Sequence, residues 1–122
     1  MASAQQTFAR WFGILLLLIG IAGFFMDDML VVFGVNTIHN IIHLVTGILG
    51  ILASMSSGYA KTYNIGFGII YLLVGILGFF SIAGIGALLN LNDWDNWLHL
   101  VIAIVVLAVG FKASTGAAMG ME

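Results

Sequence analysis

Four apolar stretches, roughly Phe8–Met26, Asn36–Met55, Tyr63–Ala83 and Asp95–Phe111, take up most of the chain and leave almost nothing to face water. A helix crosses the hydrocarbon of a bilayer with about 20 mostly apolar residues, so each stretch is predicted to span. Only 7% of the residues are charged, against about 25% in an ordinary soluble domain, which makes lipid the solvent this surface is suited to. The first and last spans are short between their limiting charges, Arg10 to Asp27 and Asp95 to Lys112; Arg10 and Lys112 can snorkel outward on their stems. No clear small-x-small cleavage site precedes the Asp27–Asp28 pair, and the run belongs to an internal repeat, so it is expected to remain as a span. The reading is an all-α membrane protein, one four-helix transmembrane domain over residues 1–122.

Few charges remain to set the orientation, and they agree. Arg10, Lys61 and Lys112 fall at one set of helix ends, and Asp27, Asp28, Asp93 and Asp95 at the other. The positive-inside rule then puts both termini in the cytoplasm. Loops 27–35 and 84–94 face the periplasm of a bacterial inner membrane, or the lumen of a thylakoid. Both outer connectors, "MLVVFGV" (Met29–Val35) and "IGALLNL" (Ile85–Leu91), are apolar and are expected to fold back onto the bundle or lie in the interface. The tail from Ala113 reads as frayed. Trp11, Trp94 and Trp97 suit interfacial belts.

The chain repeats itself. "GILLLLIGIAGFF" (Gly13–Phe25) matches "GIIYLLVGILGFF" (Gly68–Phe80), with Gly13, Gly20, Gly23, Phe24 and Phe25 opposite Gly68, Gly75, Gly78, Phe79 and Phe80. After one inserted residue, Asn36, Asn40, His43, Leu44 and Val45 pair with Asn92, Asn96, His99, Leu100 and Val101. This predicts a duplicated two-helix hairpin, the first copy over about 8–55 and the second over about 63–111. Each copy has two spans, so the two keep one orientation and are related by a pseudo-two-fold axis along the membrane normal.

Residues three and four apart share a helix face. Asn36, Asn40, His43, Gly47 and Gly50 form one such line, and Asn92, Asn96, His99, Ala103 and Gly110 another. Burying leucine drives nothing in lipid, whereas close approach at small residues and interhelical hydrogen bonds do. The stripes are therefore predicted to point inward, with Asn36 and Asn92 as helix N-caps. Asn40, Asn96, His43 and His99 are expected to bond one another between helices.

Three functional readings follow. The first is a non-enzymatic protein that acts as an accessory or assembly partner of a larger membrane complex, or as a homo-oligomer, as its small size and scant water-facing surface favour. The second makes His43 and His99 ligands of a tetrapyrrole, haem b or chlorophyll. The third is a metal site at the outer rim built from His39, His43, Asp95 and His99, whose ligand types suit zinc or copper. In this sequence-only view, His39 and Asp95 lie at the water boundary, where solvation satisfies them. The absence of cysteine excludes thiolate ligands and disulfides. Net charge is −2 with no basic cluster, so nucleic-acid binding has no electrostatic footing. No Ser–His–carboxylate set and no phosphate loop supports catalysis.

The run "VNTIHNIIHLVTGILG", with Asn36, His39, Asn40 and His43 spaced Asn-x-x-His-Asn-x-x-His, is similar to the bacterial membrane family known as domain of unknown function 4383. "GFGIIYLLVGILGFF" and "DNWLHLVIAIVVLAVG" extend the resemblance from about Phe8 to Gly110. It implies a small four-span membrane protein and no activity. The outer connectors lack the proline that the resemblance implies.

Overall fold

A computed structural model describes residues 2–116. Helix α1 covers Ala4–Phe24, and a two-residue hairpin, β1 (Met29–Leu30) with β2 (Phe33–Gly34), follows. Then come α2 (Thr37–Ala53), α3 (Ser57–Phe79), the short α4 (Ile85–Leu89) and α5 (Asp93–Lys112). The all-α expectation thus needs a small correction, because the first outer connector pairs with itself as a hairpin. Three helices, α1, α3 and α5, are long and apolar enough to cross a membrane. Helix α2 is apolar but shorter, 17 residues, or about 26 Å at 1.5 Å per residue.

The helix ends are set by caps more than by hydropathy. The Ser3 hydroxyl accepts the Gln6 N–H while the Gln6 side chain accepts the Ser3 N–H, a capping box. It starts α1 at Ala4, a turn before the apolar run. The Ser56 hydroxyl caps α3 by accepting the Tyr59 N–H, starting it at Ser57 rather than Tyr63. Asn36 and Asn92 cap α2 and α5, accepting from the His39 and Asp95 N–H groups at 2.9 and 3.0 Å.

Helix α1 packs along α2, and α3 along α5. Glycine makes both contacts possible. A Cβ on Gly13 would come within 2.6 Å of the Gly47 carbonyl oxygen, and one on Gly47 within 2.7 Å of the Gly13 oxygen. Farther along, a Cβ on Gly23 would collide with the Asn40 amide and one on Gly78 with the Asn96 amide. The pairs meet through α1 against α3, around Ala9, Phe12, Leu16, Ala60, Tyr63 and Tyr71. Tyr63 ties α3 to α2 by donating to the Thr46 carbonyl at 2.7 Å. Outside this core the helices present Leu15, Leu18, Ile48, Leu73 and Ile104 to their surroundings, an apolar coat suited to acyl chains.

Gln5 organises the end carrying the basic residues. Its side chain is fully buried and donates at 2.9 Å to the Val109 carbonyl, which also accepts the Ala113 N–H, and at 3.0 Å to the Gly110 carbonyl, in the last turn of the helix. Asn64 donates to the Gln5 side-chain oxygen at 2.8 Å. The Gln5 N–H also donates to the Ser114 carbonyl, and the Ser57 hydroxyl to that of Thr115. The tail expected to fray from Ala113 is therefore tied down as far as residue 116. Residues 117–122, Glu122 included, lie outside the described residues.

Candidate metal centre under the outer connectors

The two outer connectors do fold back, and each is gripped by an asparagine from elsewhere in the chain. Asn36, at the start of α2, donates its amide to the Leu88 carbonyl in α4 at 2.8 Å. Asn92, at the start of α5, donates to the Val32 carbonyl in the hairpin turn at 2.8 Å. Asn90, in a left-handed conformation at the end of α4, donates to the Asp28 and Val35 carbonyls, both at 2.9 Å. The Asp95 carboxylate accepts the Gly34 N–H at 2.8 Å and the Asn92 N–H at 2.9 Å through one oxygen. Backbone groups that would need water are thereby paired within the protein.

This lid corrects the expectation that His39 and Asp95 sit at the water boundary. They are 3% and 2% exposed. Hydropathy placed them at a span end, but the folded connectors cover that end.

Beneath the lid three imidazoles converge. His39 and His43, one turn apart on α2, have ring centres 4.4 Å apart, and His39 lies 5.8 Å from His99 of α5. One nitrogen from each of His39, His43 and His99 lies within 4.8 Å of the others. Nitrogens bound to one tetrahedral zinc ion by bonds of ~2.1 Å stand about 3.4 Å apart. Ring rotations and small backbone shifts that draw the nitrogens in by up to about 1.4 Å would let all three bind one ion.

The hydrogen bonding fits that use. His39 Nδ1 lies 3.0 Å from the Leu89 carbonyl oxygen. A carbonyl only accepts, so Nδ1 carries the proton and Nε2 keeps the lone pair. Metal-bound histidines almost always donate their second nitrogen in this way, fixing tautomer and ring orientation. His43 and His99 are each more than nine-tenths buried, and their Nδ1 atoms have no hydrogen-bond partner among the described residues. A buried polar atom left unpaired costs roughly 1–3 kcal/mol, so two such atoms beside a third imidazole are a feature to be explained.

The remaining candidates divide. Asp95 borders the same cavity as the three histidines, but its bonded oxygen is committed to Gly34 and Asn92, and it does not belong to the converging set. Asn40 and Asn96 were expected to bond the histidines. Among the described residues they do not; their amides press on Gly23 and Gly78, on the sides of α2 and α5 facing α1 and α3. Asn36 and Asn92 cap helices and hold the lid. The sequence reading missed two participants. The Leu89 carbonyl carries no sequence signal. Tyr71 packs its ring 5.5 Å from His99; its helical spacing between Gly68 and Gly75, which puts it on one face with those small residues, is the signal that could have found it.

Two cavities flank the histidines, and His39, His43, Tyr71 and His99 border both. The larger, about 260 Å³, lies between α1, α5 and the hairpin; the smaller, about 170 Å³, between α2, α3 and α4.

These features define a helical protein of membrane character with a buried histidine cluster under its end. The family described as Domain of unknown function (DUF4383) matches residues 6–112, and the chain belongs to that family. No curated protein and no solved structure matches the chain.

Proposed function

We propose that this protein is a four-span membrane protein, built from two copies of a two-helix unit, that holds a transition-metal ion between His39, His43 and His99. One observation carries the metal: three buried imidazoles present a nitrogen each within 4.8 Å of one another, two of them with an unpartnered Nδ1. Imidazole suits zinc, copper, iron and nickel.

The duplicated four-span architecture is supported by matched pairs. Gly23 on Asn40 answers Gly78 on Asn96, and Asn36 on Leu88 answers Asn92 on Val32. Helix α2, at 17 residues, can cross because a bilayer thins locally around short spans. Basic residues at one end and acidic ones at the other support cytoplasmic termini in a bacterial inner membrane. The histidines then lie near the periplasmic face, or the lumenal face of a thylakoid.

We read the protein as one that binds rather than converts, holding its ion as an accessory to a larger membrane complex; its small water-facing surface supports that role. The tetrapyrrole reading on His43 and His99 draws less support. His39 stands close to both rings, and the free space is divided into two small cavities rather than one slot for a flat macrocycle.

The test is a titration of metal-depleted protein in mild detergent with Zn(II) and Co(II), followed by calorimetry and elemental analysis. One ion per chain is expected, lost in a His43→Ala, His99→Ala double variant that keeps its helical circular dichroism. Equal uptake by the wild type and the double variant would overturn the assignment.

A further inference from the structure

We propose that the metal's exogenous ligand is a small uncharged molecule dissolved in the bilayer, which reaches the ion sideways between helices; this rests on the metal reading above. Three protein ligands leave one position of a tetrahedral ion to a ligand from outside. Asp95, the nearest carboxylate, has one oxygen held by two backbone N–H groups and stands outside the converging set.

The lid closes the aqueous side. The Leu89 carbonyl is bonded to His39, and Val35 and Leu89 are 2% and 5% exposed. Free space lies instead to the sides. The cavities of about 260 and 170 Å³ have walls that are almost wholly apolar. Exposed residues of the long helices stand at their rims, Leu98 for the larger and Ile42 and Ile70 for the smaller, beside Val31 and Leu88 of the lid. An apolar cavity of roughly 150 Å³ stays dry and accepts a benzene-sized guest. A charged ligand crossing such space would shed its hydration with nothing to replace it. Neutral donors no larger than a single ring, or dissolved gases, meet no such penalty.

The test uses the full chain in lipid nanodiscs, loaded with Co(II), whose visible bands respond to the fourth ligand. Pyridine, neutral and lipid-soluble, and thiocyanate, a charged anion, are added at equal concentration. Thiocyanate coordinates aqueous Co(II) readily, so silence from it reports access. Pyridine is expected to shift the bands and thiocyanate to leave them unchanged. Leu98→Trp and Ile70→Trp each narrow one crevice from a lipid-facing position. The one on the route used should slow the pyridine response at least tenfold with Co(II) affinity retained. A thiocyanate response as fast as that of pyridine, or an undiminished pyridine rate in the double tryptophan variant, overturns the lateral route. Failure to acquire Co(II) bands at all would overturn the metal reading, and this inference with it.

Discussion

His39 donates its Nδ1 proton to the Leu89 carbonyl oxygen, 3.0 Å away and 50 residues along the chain. The ring orientation of a candidate ligand is thus set by a backbone atom of the short helix α4. That carbonyl is placed by the left-handed Asn90 that follows it, which is itself bonded to Asp28 and Val35.

Asn90→Ala should therefore weaken both lid and site. Two lost hydrogen bonds at about 1 kcal/mol each, plus about 1 kcal/mol for a left-handed alanine, predict a loss near 3 kcal/mol. Disturbing the partner of a metal-bound histidine typically lowers affinity about 10-fold or more, and the same is expected here in a Zn(II) titration. Asn90→Gly, which tolerates the backbone, should lose about 1 kcal/mol less stability. Unchanged affinity in both variants would show that His39 is held without Leu89.

The Gly23–Asn40 contact should behave as a coupled pair. Gly23→Ala drives a methyl group into the Asn40 amide, and overpacking of this kind costs roughly 1–3 kcal/mol. In an Asn40→Ala background most of that cost should vanish, giving a coupling of about 0.5–3 kcal/mol in a double-mutant cycle. Gly78→Ala with Asn96→Ala should repeat the result. Additive effects would mean that the amides are free to move aside.

Glycines of the same helix class should differ by position. A Cβ on Gly66 meets nothing within 4 Å, so Gly66→Ala is expected to be neutral or to stabilise by up to about 1 kcal/mol. Gly13→Ala meets the backbone of α2, which cannot rotate away, and should lower thermal stability in detergent. Similar melting temperatures for the two would count against the close α1–α2 packing.

Much of this architecture was legible in the sequence, for specific reasons. The Gly-Asn-His lines obey helical spacing, so their inward faces follow from periodicity and from what lipid rewards. The early starts of α1 and α3 were written in Ser3–Gln6 and Ser56, but a hydropathy window passes over polar caps. The burial of His39 and Asp95 was not legible. It depends on the Gly34 amide and the Leu89 carbonyl, and backbone groups are the same at every position. The expected His–Asn bonds failed because residues sharing one stripe still point to different neighbours: Asn40 toward α1, His43 toward His39 and His99.

Gln5→Ala should separate the two ends of the molecule. It removes the side-chain donor to the Gly110 carbonyl and the side-chain acceptor of Asn64, and stranded buried groups cost about 1–3 kcal/mol. Unfolding in detergent should show that loss, while metal affinity at the far end stays within about twofold, as additivity for distant sites predicts. A large drop in affinity would mean that the ends communicate.

The crossed grip of Asn36 on Leu88 and Asn92 on Val32 has a historical consequence. Neither half closes its own end; each borrows the other's backbone. Two identical hairpins meeting about a dyad would offer each other the same bonds, a geometry that does not require the halves to be joined. A strict dyad, however, supplies side chains only in even numbers. On the proposed duplication, an odd set of three imidazoles requires the halves to differ, as they do with histidine at position 39 and aspartate at the matching position 95.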